Sequence, residues 1–225
     1  MIIKRPEKEH IPALTGLWMQ AFGDSKDFID GFFRTGFSYD RCLLAQEQGQ
    51  LLAALYWFDC QWQDKKVAYL YAIATHESHR GKGICAELMK HTHRHLQKAG
   101  YSGAILVPAD EGLARMYGKM GYIPCASQGM QNAKCKMQNE PISVAEYRKL
   151  QSDLLPPDAV VHTDAAFAYL QTFAGFYKTE NGILCKTQEH IQEILPYTPT
   201  GKNRAMYLSL TEDKTLPAYF ALPLA

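Results

Sequence analysis

One stretch constrains this chain more than any other. Val67 to Met89 runs VAYLYAIATHESHRGKGICAELM. Val67 to Thr75 is almost continuously apolar and rich in aromatic and β-branched side chains, the pattern of a central strand covered on both faces. Four polar residues, His76 to His79, lead into Arg80-Gly81-Lys82-Gly83. From Ile84 the apolar positions Ile84, Leu88 and Leu96 recur at helical spacing, with Thr92 between them. The glycines therefore stand where a helix begins. At such a point several backbone N–H groups have no intrahelical partner and the helix dipole is positive. Glycine lets the backbone come close to an anion there, so the stretch predicts a phosphate-binding loop, the pyrophosphate cradle of a coenzyme.

The flanking sequence predicts a mixed α/β fold around that strand. Met1 to Lys4 reads as a short strand ended by Pro6. His10 to Phe22 is helical, with Ile11, Leu14, Trp18 and Phe22 on one stripe and Gly23-Asp24-Ser25 closing it. Lys26 to Gly36 is a second helix, whose Phe28, Ile29, Phe32 and Phe33 read as packing residues. Asp24, Asp27 and Asp30 read as a solvated face with N-terminal caps, the alternative being a greeting for a cationic substrate. Arg41 to Gln46 and Leu51 to Cys60 form a strand pair that continues into the central strand as an antiparallel meander. Beyond the glycine loop come a strand at Ala104 to Pro108, a helix at Asp110 to Met120 closed by Gly121, and strands at Tyr122 to Cys125 and Met130 to Met137.

Three kinds of site use glycines between a strand and a helix. A Walker phosphate loop needs Gly-Lys followed by Ser or Thr, and here Ile84 follows Gly83. The spacing Gly81-x-Gly83-x-x-Ala86 matches a dinucleotide fingerprint, but the four residues between strand and glycines and the upstream helix pair do not. The third is an acetyltransferase loop. Arg80-Gly81-Lys82-Gly83-Ile84-Cys85 after Ile73-Ala74-Thr75 resembles motif A of the GCN5-related N-acetyltransferases, with Cys85 at a position usually held by Gly or Ala. Ala114-Arg115-Met116-Tyr117-Gly118-Lys119-Met120-Gly121-Tyr122 resembles the family's motif B. Val107-Pro108-Ala109 is similar to the enhanced-intracellular-survival branch. The resemblance covers residues 1–138.

That resemblance implies a splayed mixed sheet with acetyl-CoA as co-substrate and no metal. Pantetheine is expected against the backbone of Ile73, Ala74 and Thr75, and pyrophosphate on Arg80, Gly81, Lys82, Gly83, Ile84 and Cys85. Tyr117 is expected near the coenzyme sulfur, as the acid that protonates the leaving thiolate. A phenol can do so because its ordinary pKa of about 10 lies above the thiol's of about 8.5. The acceptor is expected to be a small-molecule or peptide amine. The base stays open among Glu77, His76, Asp59, Tyr71 and a water chain, with the C-terminal carboxylate of Ala225 added by analogy to that branch. The alternative function is a non-catalytic acyl-CoA-binding or assembly module.

Composition narrows the classes further. A net charge of +1 over 225 residues argues against a general nucleic-acid binder, which needs a clustered basic excess. The charged start Lys4-Arg5-Pro6-Glu7-Lys8 precedes no long apolar run, so no secretory signal and no membrane association are expected. The six cysteines contain no C-x-x-C pair and are expected to be free thiols in a reducing cytoplasm. His91 and His95 have i, i+4 spacing but lie among Lys90, Arg94, Gln97 and Lys98, the pattern of a solvated face.

Residues 139–225 exceed a minimal acetyltransferase. Ser143 begins a helix to about Asp153, and Asp164 to Ala174 is another. Phe176 to Lys178 and Ile183 to Lys186 form a hairpin around Asn181-Gly182. Gln188 to Leu195 reads as a short helix, and Ala205 to Leu210 and Tyr219 to Leu222 as strands. This order predicts a C-terminal α/β extension, a degenerate half-repeat of the first domain. Packing on the catalytic domain, shaping the acceptor site and forming a homodimer contact are its open roles.

Overall fold

The computed structural model describes residues 1–125, 130–132, 140–180, 182–187, 190–194, 205–217 and 219–221. The chain opens with β1 (Ile2–Lys4), α1 (Ile11–Phe22) and α2 (Lys26–Thr35). Gly23, at φ 75, ends α1, and the Ser25 hydroxyl caps α2 by accepting the Phe28 N–H at 3.3 Å. β2 (Cys42–Glu47), β3 (Gln50–Trp62) and β4 (Lys65–Thr75) then form the expected antiparallel meander. α3 (Ile84–Lys98), β5 (Gly103–Leu106), α4 (Glu111–Lys119) and β6 (Ile123–Cys125) follow. β5 lies parallel to β4, as a helical crossover through α3 permits.

The later elements are β7 (Met130–Asn132), β8 (Glu140–Pro141), α5 (Val144–Leu154), β9 (Ala159–His162), α6 (Asp164–Leu170), β10 (Gly175–Lys178) and β11 (Ile183–Lys186). β12 (His190–Ile194), β13 (Ala205–Ser209) and β14 (Tyr219–Ala221) complete them. β12 corrects the helix expected over Gln188 to Leu195: pairing with β11 on one side and β7 on the other holds these residues extended, and such tertiary pairing overrides local propensity. The strand β9 was not anticipated, and α6 stops at Leu170 rather than Ala174. Most of the strand expected over Met130 to Met137 lies outside the described residues, as does Leu222.

The main sheet runs β1-β2-β3-β4-β5-β13-β6, with β9 pairing the far end of β3 and β14 pairing β9. Thus β13, more than eighty residues downstream of β6 in sequence, separates β5 from β6. A second antiparallel sheet runs β7-β12-β11-β10-β8.

Both faces of the main sheet are covered, which explains the nearly unbroken apolar run of β4. On one face α3 and α4 bury Leu88, Met89, Leu96 and Tyr117 against Leu55, Trp57, Ala68 and Leu70. On the other, α1, α2 and α6 bury Leu14, Trp18, Ile29, Phe32 and Tyr169 against Tyr56, Phe58 and Tyr69. The aromatics of α2 are packing residues: Phe32 lies 4.8 Å from Trp18, 5.1 Å from Tyr56 and 5.3 Å from Tyr169, centroid to centroid.

Candidate active site

Two backbone features open a cleft beside β4. The first is a bulge. Ala54 faces Ala74 and Tyr56 faces Tyr71, so Ala72 and Ile73 together oppose Leu55. Ala72 takes the left-handed conformation, φ 47, and the extra residue turns the strand locally. The second is a splay. The β4–β5 ladder pairs Val67, Ala68 and Tyr69 with Gly103, Ala104 and Ile105. Past Tyr69 β4 continues to Thr75 without a β5 partner, while Pro108 lies beyond the end of β5 and lacks the N–H to prolong a ladder.

A cavity of about 200 Å³ fills the wedge. Tyr69 to Ile73 form one wall and Leu106 to Ala109 the other. Leu113 and Tyr117 enter from α4, and Trp18, Phe22 and Asp24 from the end of α1. Of the residues singled out in the sequence, Ile73 and Tyr117 line this cavity. Ala74 and Thr75 continue the strand from its rim toward the glycine loop.

The four residues between strand and glycines form a single 3-10 turn, Glu77–His79. Gln20 of α1 pins it: its Oε1 accepts the Glu77 N–H at 3.2 Å. Arg80 Nε donates to the Thr75 carbonyl at 3.2 Å, while the Arg80 N–H is spent on Glu77 O. Gly81 and Gly83 both have positive φ, 74 and 79, and a Cβ on either would meet nothing within 4 Å. The need for glycine is therefore conformational, and open space lies in front of each. Glu87 N–H bonds Gly83 O at 3.1 Å. Among the described residues the amides of Gly81 to Ala86 have no backbone partner, a free set of donors at the positive end of a fifteen-residue helix. Lys82 is exposed beside them, Ile84 is buried and Cys85 half-buried.

Tyr117 is only 5% exposed, with its ring against Tyr122 at 5.8 Å. Burial raises its pKa well above the phenol range, and the neighbouring Cys85 thiol and Asp110 carboxylate add to the effect. It is therefore held as the protonated phenol, and its hydroxyl has no hydrogen-bond partner among the described residues. Burial likewise keeps Cys85 a thiol.

The candidate bases separate. Asp59 lies at the opposite end of the sheet, bonded to Tyr101 Oη and 3.4 Å from Arg41 and 3.7 Å from Lys66. Glu77 and His76 belong to the 3-10 turn, where His76 Nδ1 accepts the Ser78 N–H. Only Tyr71 lines the cavity; burial chiefly pushes its pKa up to about 12, with the Tyr169 hydroxyl opposing and Asp24 adding. Ala225 lies outside the described residues. Sequence reasoning left Trp18 and Phe22 out of the site and offered Asp24, with Asp27 and Asp30, only as the alternative of a group that meets a cationic substrate. The signal available was the Gly23-Asp24-Ser25 turn, which places one carboxylate between a left-handed glycine and a helix cap.

Comparison with known proteins agrees with this anatomy. A family model described as an acetyltransferase (GNAT) domain matches residues 2–125. No curated protein sequence matches the chain. Among solved structures, a GCN5-related N-acetyltransferase from Anabaena variabilis superposes with a TM-score of 0.65 at 16% identity, over 93% of this chain and 73% of that one. A GCN5-related N-acetyltransferase from Kribbella flavida gives 0.62 at 13%, over 88% of this chain and 57% of that one. Eis1 from Mycobacterium abscessus gives 0.61 at 13%, over 88% and 60%. At such identities the likeness is one of fold, and the chain spans about three-fifths of the latter two proteins. With the family model covering more than half of its length, this chain belongs to the GNAT acetyltransferase family.

Proposed function

We propose that the protein is an acetyl-CoA-dependent N-acetyltransferase that transfers acetyl directly to a primary amine in a ternary complex. The observation that carries the reading is the splay between β4 and β5, walled by Ile73 and Tyr117, from which β4 leads to the loop whose amides, Gly81 to Ala86, have no backbone partner among the described residues. A long thioester with a pyrophosphate fits that sequence of features: a slot beside an unpaired strand edge, then a ring of N–H donors. Ile73, Ala74 and Thr75 offer backbone to the pantetheine arm. Gly81, Lys82, Gly83, Ile84 and Cys85 offer amides to the pyrophosphate, and Arg80 stands at the loop's edge through its side chain.

In the reaction the amine nitrogen forms a bond to the thioester carbonyl carbon, the C–S bond breaks, and the sulfur gains the proton that Tyr117 supplies. The proton that nitrogen loses on becoming an amide restores Tyr117, and the one shed by the starting ammonium passes to solvent. On this reading a backbone N–H near Ile73 to Thr75 stabilises the oxyanion, a contact worth about 10²–10³ in rate where such donors have been removed. Residues 1–138 carry this chemistry on our reading, and 139–225 are its extension. The buried, unbridged thiols of Cys42, Cys60, Cys125 and Cys185 fit a reducing cytoplasm.

The test is direct. Purified protein is titrated with acetyl-CoA by calorimetry and thermal shift, and free coenzyme thiol is followed across an amine library. Saturable binding with thiol release is the expected result. Absence of binding would sink the proposal, and binding without turnover for any amine would favour a non-catalytic acyl-CoA module.

A further inference from the structure

The acceptor end of the cleft has a composition that selects among amines. Past Tyr117 the cavity is walled by the aromatic rings of Trp18, Phe22, Tyr69 and Tyr71, and among the described residues Asp24 is the one carboxylate that lines it. Asp24 is fixed rather than free: Trp18 Nε1 donates to its Oδ2 at 2.8 Å. Trp18 is itself clamped by Phe32, Tyr56 and Tyr71 at 4.8, 5.4 and 5.7 Å. Among the described residues neither Lys nor Arg lines the cavity and no ion pair to Asp24 forms. The carboxylate is therefore held by a neutral donor, with its charge left for a ligand.

Tyr169, from α6 of the C-terminal extension, backs this wall: it is fully buried, and its ring lies 6.4 Å from that of Tyr71.

We infer, on the strength of the N-acetyltransferase reading above, that the acceptor is a slim monocationic amine with an apolar or aryl stem. Asp24 anchors the ammonium and the rings of Trp18, Phe22, Tyr69 and Tyr71 sheathe the stem. Aromatic faces and a carboxylate both attract a cation. A carboxylate beside the amine, as in a free amino acid, would meet Asp24 with like charge and no compensating cation. The cavity of about 200 Å³ must also admit the acetyl end of the donor, which favours a slim acceptor. Trp18 acts as a positioning residue through Asp24, and Tyr169 of the extension packs behind Tyr71.

A matched pair of acceptors tests this in the full chain. 2-Phenylethylamine and phenylalanine differ by one carboxylate, and phenylalanine amide controls for its bulk. With saturating acetyl-CoA, kcat/KM for 2-phenylethylamine should exceed that for phenylalanine by at least about 10²-fold, with the amide between them. Asp24→Asn keeps an acceptor for the Trp18 N–H and should raise KM for 2-phenylethylamine at least about tenfold. It should shrink the discrimination against phenylalanine and leave acetyl-CoA affinity unchanged, a change that a merely structural role would not produce. Trp18→Phe should reproduce part of the KM effect. Equal use of phenylalanine and 2-phenylethylamine, undiminished discrimination in Asp24→Asn, or turnover confined to an aminoglycoside, spermidine or a peptide would each overturn the inference while leaving the acetyltransferase reading intact. Failure of acetyl-CoA to bind at all would remove both.

Discussion

The ring of Tyr207 lies against the Cα of Gly103 across the β5–β13 pair, where any Cβ would overlap it. The two residues are 104 positions apart in sequence. Tyr207 is 1% exposed, packs against Trp62 at 5.8 Å and Phe220 at 6.5 Å, and donates its hydroxyl to Ser102 O at 3.4 Å. A strand from the C-terminal extension is thus locked into the sheet next to β5, the strand whose departure from β4 makes the cleft.

That contact gives a stability test. Gly103→Val must displace the Tyr207 ring or shift β13, and overpacking of this kind costs about 1–3 kcal/mol. The expected result is a lower urea midpoint and, because β5 forms one wall of the cleft, weaker acetyl-CoA binding. Tyr207→Ala in the Gly103→Val background should recover part of the strain. If the double variant is as unstable as the sum of the singles, the contact is not the cause.

Gly83→Val separates the loop's two requirements. The open space around its Cβ lets the protein fold, with a local cost of about 1–2 kcal/mol for a branched residue held at positive φ. The side chain would then occupy the space in front of the amides. Acetyl-CoA affinity measured by calorimetry should fall by about 10²-fold or more, equivalent to about 3 kcal/mol, while far-UV circular dichroism stays unchanged.

Tyr117→Phe removes only a hydroxyl that has no partner in the described structure. Acetyl-CoA binding and thermal stability should stay near those of the parent, and kcat should fall by about 10²–10⁴. An unchanged kcat would take Tyr117 out of the chemistry and leave it as packing against Tyr122.

Acid should weaken the fold through two histidines. His93 Nε2 sits 2.8 Å from Tyr122 Oη, and burial pulls its pKa down to about 4. His162, 2% exposed with Nδ1 3.4 Å from Cys60 Sγ, is lowered to about 3, again by burial. An unfolded histidine titrates near 6.5, so between that pH and the folded values the unfolded chain binds more protons. Their contribution is complete above about pH 6.5 and is lost as pH falls toward 4 and below, amounting to about 3 kcal/mol for His93. Denaturant midpoints at pH 7.5 and 4.5 should show the drop, and His93→Gln should reduce it.

How far the sequence could be read depended on the range of the interactions. The strand, turn, glycine loop and helix of Val67 to Leu96 were legible because each rests on local physics: an apolar run, positive φ at Gly81 and Gly83, and a helical repeat from Ile84. Tyr117 was singled out through the resemblance of Ala114 to Tyr122 to the family's motif B. By contrast, β12 looked like a helix until its neighbours β11 and β7 were in place. Asp24 looked like one of three surface acids, and only the approach of α1 to β4 put it in the cleft. β13 carried no local sign that it would separate β5 from β6.

By itself, then, the sequence determined the family motifs, the glycine loop, the apolar central strand and the helix that carries Tyr117. The tertiary structure alone decided which side chains wall the cleft and where the strands of the last third pair. A helix start or a glycine turn is dictated by residues within a few positions of one another. A strand's neighbours in a sheet, and the one carboxylate left inside an aromatic wall, depend on contacts between residues a hundred positions apart, which no local pattern records.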